Sequence, residues 1–385
     1  MKYYFCMLME SMKIFFLIPI AKAFGKKYKN TWVVTERPNQ ARDNGYVFFK
    51  YMRMQHPEQE VYYVIDKNSK DYEKIKGIGN IIQFNSLSHY IIYIVSRIHI
   101  SSHVNGCAPS NSLPVFKRIK NRIGYKDVFL PHGVSYGISE FCLKKYAHID
   151  LFICSCEPEY YNVLNNYGYS KSEVAYTGFP RLDLWHDFKV NQNKIVLMPT
   201  WRAYLAQNSN TVFEETEYYR EYSNFILNEQ LHHFLEMNDL TMVFYLHNDM
   251  RKYVNSFVTD CKNIEIVYKD DQYDIQELLK EASLLITDYS SVHFDFAYMN
   301  KPVIYFQFDK EEFLKRQYRE SIFDAEKNGF GPVAYNVDEL ISNIKDAFQN
   351  DFTMTEKYYN RMRTFYQIYD NHNCDRVYEE IKKIG

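Results

Sequence analysis

Ile286-Thr-Asp-Tyr-Ser-Ser-Val-His-Phe-Asp-Phe-Ala-Tyr-Met-Asn-Lys-Pro-Val-Ile-Tyr-Phe306 reads as strand, tight turn, helix and strand within one short span. Leu284 to Thr287 is an apolar run, Ser290 or Ser291 can cap the following helix, and Lys301-Pro302 ends it before a second apolar run. This is a βαβ unit, which implies parallel strands. A helix N-terminus outside a strand's carboxyl end carries free N–H groups and positive partial charge, so it can hold a phosphate with help from the Ser290 and Ser291 hydroxyls. From this stretch alone, a phosphate-binding turn and an ordinary N-cap on a core helix are both open.

Outward from this unit, short apolar runs alternate with helical patterns along the chain. Toward the N-terminus the strands are expected at Trp32–Thr35, Val61–Ile65, Ile81–Phe84, Ile98–Ser102, Val128–Leu130, Leu151–Ser155 and Val174–Thr177. Helical stretches such as Asp43–His56, Ser88–Arg97 and Glu157–Tyr167 lie between them. A polar, turn-rich break follows at Asp183–Gln192, and the alternation restarts with Ile195–Met198, Met242–Leu246, Ile264–Tyr268, Leu284–Thr287 and Val303–Phe306. The pattern predicts two α/β domains with parallel sheets, 1–187 and 188–350, and a charged C-terminal helix in 351–385 packing back on the first. A chain of 385 residues that is 46% hydrophobic is large enough for two such cores.

The formal net charge of -2 gives no global attraction to nucleic acid. Seven scattered cysteines, with no C-x-x-C pair, fit a reducing cytosol, and Cys154 and Cys156 read as buried packing on a strand rather than as metal ligands. No Asp-x-Asp metal motif is evident, so no tightly bound metal is expected. Met1 to Phe24 is apolar and aromatic but broken by Lys2, Glu10, Lys13 and Lys22, and its clean run Ile14–Ala21 is too short to span a bilayer. With Lys22, Lys26, Lys27 and Lys29 behind it, this segment can lie on an anionic membrane surface or pack into the core; both remain open.

The functional signal lies in the residues that directly follow the strands. His103 follows Ile-Ser-Ser, His132-Gly133 follows Phe-Leu-Pro, and Gly178-Phe-Pro-Arg181 follows Ala-Tyr-Thr. Thr200-Trp-Arg202 follows Leu-Met-Pro, His247 follows Phe-Tyr-Leu, and Asp288 follows Leu-Ile-Thr. Ligands of open parallel sheets sit outside the carboxyl ends of the strands, so these six ends are expected to line one cleft between the domains. His132 suits a general base for an acceptor hydroxyl, and Gly133 permits close backbone approach. His247, Arg202 and Arg181 suit phosphate oxygens on which charge builds as a nucleotide leaves. Asp295, one helical turn after Ser291, can orient that hydroxyl or act as a solvated or capping carboxylate.

Leu130-Pro-His-Gly-Val134, Thr177-Gly-Phe-Pro-Arg-Leu-Asp183, Met198-Pro-Thr-Trp-Arg202 and Ile286-Thr-Asp-Tyr-Ser-Ser-Val292 with Phe294-Asp-Phe-Ala297 resemble the CDP-glycerol glycerophosphotransferase family. That family includes teichoic acid primases and polymerases and related enzymes of capsule synthesis. The likeness runs from about Trp32 to Asn336, including Glu36-Arg-Pro-Asn-Gln-Ala-Arg-Asp-Asn-Gly45 and Gly329-Phe-Gly-Pro332. It implies a GT-B fold, with an N-terminal acceptor domain and a C-terminal nucleotide-donor domain facing across a cleft. It also implies transfer of a polyol phosphate from a CDP-polyol to a hydroxyl with release of CMP. The donor is CDP-glycerol in this reading, and no separate cofactor is needed.

On the family's motifs, the catalytic histidines map to His132 and His247. The donor-diphosphate segment maps to Asp288 through Ser291. Arg181 and Arg202 are the further phosphate-binding candidates, and Gly133, Thr200, Asp295 and His103 are the supporting residues. The implied acceptor is a lipid-linked or glycan hydroxyl, reached by a cytoplasmic enzyme peripheral on the inner face of the cell membrane. Val134 and Asn248 stand where the family often has Thr and Pro, departures that bear on acceptor identity rather than reaction class. The alternatives are a transferase of the same fold using CDP-ribitol or a nucleotide sugar, and a non-catalytic nucleotide-binding scaffold. The presence of both His132 and His247 counts against the scaffold.

Overall fold

The computed structural model describes residues 2–24, 26–110, 120, 121, 123–206, 208–268, 272–317 and 323–385. Two compact units divide the chain: Met1–Leu184 with Asp370–Gly385, and Trp185–Tyr369. In the first, β1 (Trp32–Thr35), β2 (Val61–Ile65), β3 (Ile81–Gln83), β4 (Ile98–Ser101), β5 (Lys126–Phe129), β6 (Leu151–Cys154) and β7 (Val174–Tyr176) form a sheet. Its order is β3-β2-β1-β4-β5-β6-β7, and every pairing is parallel. β1, β4 and β6 are buried along their whole length, as expected of parallel strands covered on both faces.

The second unit repeats the plan with β8 (Asn191–Leu197), β9 (Thr241–Phe244), β10 (Ile264–Ile266), β11 (Ala282–Thr287), β12 (Val303–Phe306) and β13 (Val333–Ala334). These strands are also all parallel, in the order β10-β9-β8-β11-β12-β13. Counted from its own first strand, each sheet runs 3-2-1-4-5-6, and the first adds a seventh strand. This is the doubly wound order, which reverses direction between β1 and β4 in one unit and between β8 and β11 in the other. Those two switch points are where such sheets open a crevice for ligand.

Each expected strand is present, with ends moved by a few residues. β8 starts at Asn191, inside the stretch read as a break, because its first three residues are exposed and only Ile195–Leu197 reach the core. β13 is two residues long, too short to show a period. The single C-terminal helix expected over Met354–Ile384 is corrected to two, Glu356–Phe365 and Asn373–Ile384. Only Asp370–Gly385 belong to the first unit, and the Thr177–Asp183 motif secures them. Gly178 has φ +82, and a Cβ there would lie 1.8 Å from the Asn373 side chain. Asp183 accepts from the backbone N–H groups of Asn373 (2.8 Å) and Cys374 (2.9 Å), capping the last helix.

The N-terminal helix Lys2–Phe24 packs on the helix Leu87–Val95 through Ile14 and Ala21. Met9, Met12, Phe15, Phe16 and Ile20 are exposed on it. At 100° per residue the exposed set forms a stripe opposite Ile14 and Ala21, so the helix is apolar on two sides. Among the described residues no helix is long and apolar enough to cross a membrane.

Candidate functional site

At the switch point of the first unit, Glu36-Arg37 leave β1 and Ser102-His103 leave β4, with Pro131-His132 beside them after β5. The His103 backbone N–H donates to Ser101 Oγ (3.1 Å), and Arg37 Nε–H donates to His103 Nε2 (3.2 Å). The His103 and His132 rings stack with centroids 5.4 Å apart and planes 5° from parallel. Two anchors hold the loop that carries His132. Asn44 Nδ2 donates to the Pro131 carbonyl (2.6 Å), and the Ser135 N–H donates to Glu159 Oε1 (2.6 Å).

The β1 loop is wound around Glu36, whose carboxylate accepts from the N–H groups of Arg42 (2.9 Å), Asp43 (2.9 Å) and Tyr46 (2.7 Å). Burial, with Asp43 adding to it, nonetheless pushes the Glu36 carboxyl up to about 7. Arg181 is almost fully buried and pairs with Asp43 (Nη1–Oδ1 2.9 Å), while its backbone N–H donates to Asn44 Oδ1 (3.0 Å). Arg181 therefore ties the Thr177–Asp183 motif to the start of the helix Asn44–Gln55, a tie that gives its guanidinium a structural role.

The histidines are prepared to stay neutral. Burial, then the charges of His132 and Arg37, lower His103 to about 4. His132 is exposed at its surface, yet the protein around its ring lowers it too, with Arg181 and Arg37 adding and Asp43 opposing. A neutral imidazole has one bare nitrogen, which is what accepting a proton requires.

In the second unit the switch-point charges face one another. Arg202 Nε and Nη2 donate to Asp309 (2.8 and 3.0 Å), Nη1 donates to the Thr200 carbonyl (2.9 Å), and Nη2 pairs with Asp288 (2.8 Å). Asp288 also accepts from the N–H groups of Thr200 (2.7 Å) and Tyr289 (2.6 Å) and from the Tyr222 hydroxyl (3.2 Å). Arg202 is 0% and Asp288 1% exposed, so neither presents its charge to a ligand; together they fix the loops around them. Burial alone opposes the Arg202 charge, and Asp288 and Asp309 outweigh it.

What reaches solvent here is the Ser290-Ser291 turn, half-buried, and His247, exposed. The helix after the turn, Val292–Tyr298, has seven residues, and Ser291 is its N-cap without a side-chain capping bond. Ser290 Oγ lies 3.5 Å from the Val292 N–H. Of the two serines expected to be able to cap this helix, Ser290 is the one whose Oγ accepts from a helical N–H, while Ser291, at φ -61 and ψ -11, is already helical. Asp295 sits half-buried in the first turn. His247 stacks on Trp201 at 6.0 Å and 18°, and its Nδ1 accepts from the Asp249 N–H at 3.2 Å. In its neutral form that bond assigns the ring proton to Nε2, so His247 offers a donor.

His103, His132, Gly133 and Arg181 thus share one unit, and Thr200, Arg202, His247, Asp288, Ser290, Ser291 and Asp295 the other. Glu36, Arg37 and Asp43 were within reach of the same strand-end rule, since they follow β1 at the reversal. Glu159 and Asp309 lie within a helix and three residues past a strand, positions without a sequence signal. Among the described residues no cluster of His, Cys, Asp and Glu could hold a metal ion, and Cys154 and Cys156 are fully buried.

Two doubly wound parallel units with polar groups at each reversal define a GT-B type fold. Over 99% of this chain and 97% of the other, the fold matches the wall teichoic acid polymerase TagF (TM-score 0.68, 15% identity). It also matches a UDP-GlcNAc 2-epimerase from Neisseria meningitidis bound to UDP-GlcNAc (TM-score 0.56, 10% identity, 92% of this chain and 99% of that one). The chain belongs to the CDP-Glycerol:Poly(glycerophosphate) glycerophosphotransferase family, which it matches over residues 15–383.

Among relatives, it is 30% identical to the minor teichoic acid biosynthesis protein GgaB of Bacillus subtilis (strain 168), over 92% of this chain and 40% of that protein. It is 27% identical to the teichoic acid poly(ribitol-phosphate) polymerase of Bacillus spizizenii, over 67% of this chain and 40% of that protein. The chain therefore spans about 40% of the length of these two relatives.

Proposed function

We propose that the protein transfers glycerol phosphate from CDP-glycerol to a hydroxyl of a lipid-linked or glycan acceptor in teichoic acid or capsule synthesis, releasing CMP. The observation that carries this reading is family membership across residues 15–383, which include both switch-point sites. In the first unit the bare imidazole nitrogen of His132, the more exposed ring of the stacked pair, takes the acceptor's hydroxyl proton. The oxygen so freed attacks the phosphorus that bears glycerol. A new phosphodiester forms, the bond to the CMP phosphate breaks, and negative charge collects on the departing CMP.

In the second unit, His247 Nε2–H and the Ser290 and Ser291 hydroxyls are the donors for that charge. Arg202, Asp288 and Asp309 keep their loops rigid, so the donors need no reorganisation as the charge develops. Likeness to a poly(ribitol-phosphate) polymerase supports CDP-ribitol as a second donor reading. The test is CMP release from CDP-glycerol, CDP-ribitol and a UDP-sugar in parallel, with extracted membranes as acceptor. CMP from CDP-glycerol alone supports the first reading; preference for CDP-ribitol replaces it with the second.

The acceptor class suggests where the enzyme works. The exposed stripe Met9, Met12, Phe15, Phe16 and Ile20, followed by exposed Lys22, Lys26, Lys27 and Lys29, fits the interface of an anionic bilayer on the cytoplasmic side. Sedimentation with anionic and neutral vesicles checks it: binding only to the anionic set is the expected result.

A further inference from the structure

Next to His103 the first unit contains a small cavity of about 10 Å³, measured for the centre of a water molecule, lined by His99, Ser101, His103, Asn105, Asp127 and Phe129 among others. That is room for one water, provided it finds two or more polar partners. Two of the lining side chains supply them. His99 Nδ1 and His103 Nδ1 are both buried and make no hydrogen bond among the described residues. Leaving two such atoms unpaired in the interior costs about 1–3 kcal/mol each.

The bond from Arg37 fixes one end of the chain, and the His99 tautomer sets the other. Arg37 Nε–H donates to His103 Nε2, so neutral His103 carries its proton on Nδ1. His99 Nε2 contacts Ser96 Oγ at 2.9 Å. With the proton on Nε2, His99 Nδ1 is a bare acceptor. The His99 ring is held on Tyr125 (3.9 Å, 24°) and beside Tyr93 (4.6 Å), so it cannot swing away. Asp127, the one carboxylate on the cavity wall, is paired with Lys120 at 2.8 Å.

We propose that this cavity is a water site whose water accepts from His103 Nδ1–H and donates to His99 Nδ1, making His99 a positioning residue for the histidine pair. No bond is made or broken; Arg37 sets the His103 tautomer, and the water holds the tilt of that ring, which stacks on His132. The positioning role rests on the transferase reading above, whereas the water site does not.

Selective ¹⁵N labelling of the histidines in the full chain reads each tautomer directly. His103 protonated on Nδ1 and His99 on Nε2 is the expected result, and the opposite assignment at either ring overturns the proposal. His99→Phe keeps a ring against Tyr125 but removes the acceptor, whereas His99→Asn keeps an amide oxygen near the Nδ1 position. Outer hydrogen-bond partners of metal-bound histidines contribute about 10-fold or more to activity, and a loss of similar size is expected here. His99→Phe should therefore lower kcat for CMP release about tenfold, leave KM for CDP-glycerol unchanged and shift the His103 Nδ1 ¹⁵N resonance as its hydrogen bond to the water is lost, and His99→Asn should recover part of all this. Equal loss of kcat in both variants with the His103 Nδ1 resonance unchanged would falsify the positioning role. If the wild-type protein releases no CMP from any donor, the transferase reading falls, and the His103 Nδ1 resonance of wild type against His99→Phe still decides the water site.

Discussion

The two switch points share a topology and differ in how they treat charge. In the first unit, Glu36, His103 and His132 are partly desolvated without full compensation, and their pKa values move toward or below neutrality. In the second, Arg202 is held between Asp288 and Asp309 in the interior, and the groups within reach of a ligand are Ser290, Ser291 and His247. Glu36, at about 7, can exchange a proton near neutral pH and the neutral histidines can accept one, whereas a buried ion triad holds its shape whatever binds. On the proposed function, the same fold would supply the proton acceptor from one copy and the phosphate-binding donors from the other.

The largest effect expected from this contrast is on stability. Arg202→Met leaves the Asp288 and Asp309 carboxylates buried without their cation, which costs about 3–5 kcal/mol. Over a unit of this size that is a fall of roughly 6–20 °C in Tm by calorimetry. A fall of only a degree or two would mean that the triad is not the brace proposed here. His132→Ala should act in the opposite register, lowering CMP release by about 100-fold or more while the Tm stays near the wild-type value. His103→Ala sharpens the comparison within the pair. An equal loss would make the stacked rings one functional unit, and a smaller one would leave His132 as the base with His103 positioning it.

Much of this was legible before any coordinates. The βαβ unit at Ile286–Phe306 and the strand-end residues His103, His132, His247 and Asp288 follow from short apolar runs alternating with helical patterns and from one rule about parallel sheets. Pairing was not legible. Whether Arg202 meets a phosphate or Asp309 depends on a carboxylate 107 positions away, and nothing local to Met198–Arg202 records it. The Thr177–Asp183 motif likewise reads as a ligand loop, although Gly178 and Asp183 serve the last helix across more than 190 positions. Long-range hydrogen bonds leave no periodic trace in a single sequence.

A pH experiment separates the units further. Burial raises Glu159 to about 7, against the N–H groups of Ser135 and Ser155 that favour its charge. Because the folded pKa lies above the unfolded value, the stability this carboxyl contributes is full below about pH 4.5 and is lost as pH rises through about 7. Glu159→Gln removes the titration and keeps any constant cost of the amide. The stability of the variant relative to wild type should therefore rise between pH 5 and pH 8 by roughly 1–3 kcal/mol. A flat difference across that range would show that Glu159 is ionised throughout and that the proton-handling character assigned to the first unit is overstated.

The smallest effect concerns the N-terminal helix, where one element also carries two unlike faces. Ile14 and Ala21 are fully buried, so truncating the helix would damage the first core and confuse folding with binding. Phe16 is 63% exposed, so a polar residue there leaves that core intact. Burying an exposed Phe side chain in the interfacial region contributes about 1.5–3 kcal/mol, most of it recovered only on binding. Phe16→Ser should therefore weaken sedimentation with anionic vesicles about tenfold and leave the Tm and CMP release from soluble CDP-glycerol unchanged. Vesicle binding that persists undiminished in Phe16→Ser and in Phe15→Ser would show that the stripe is not the membrane contact.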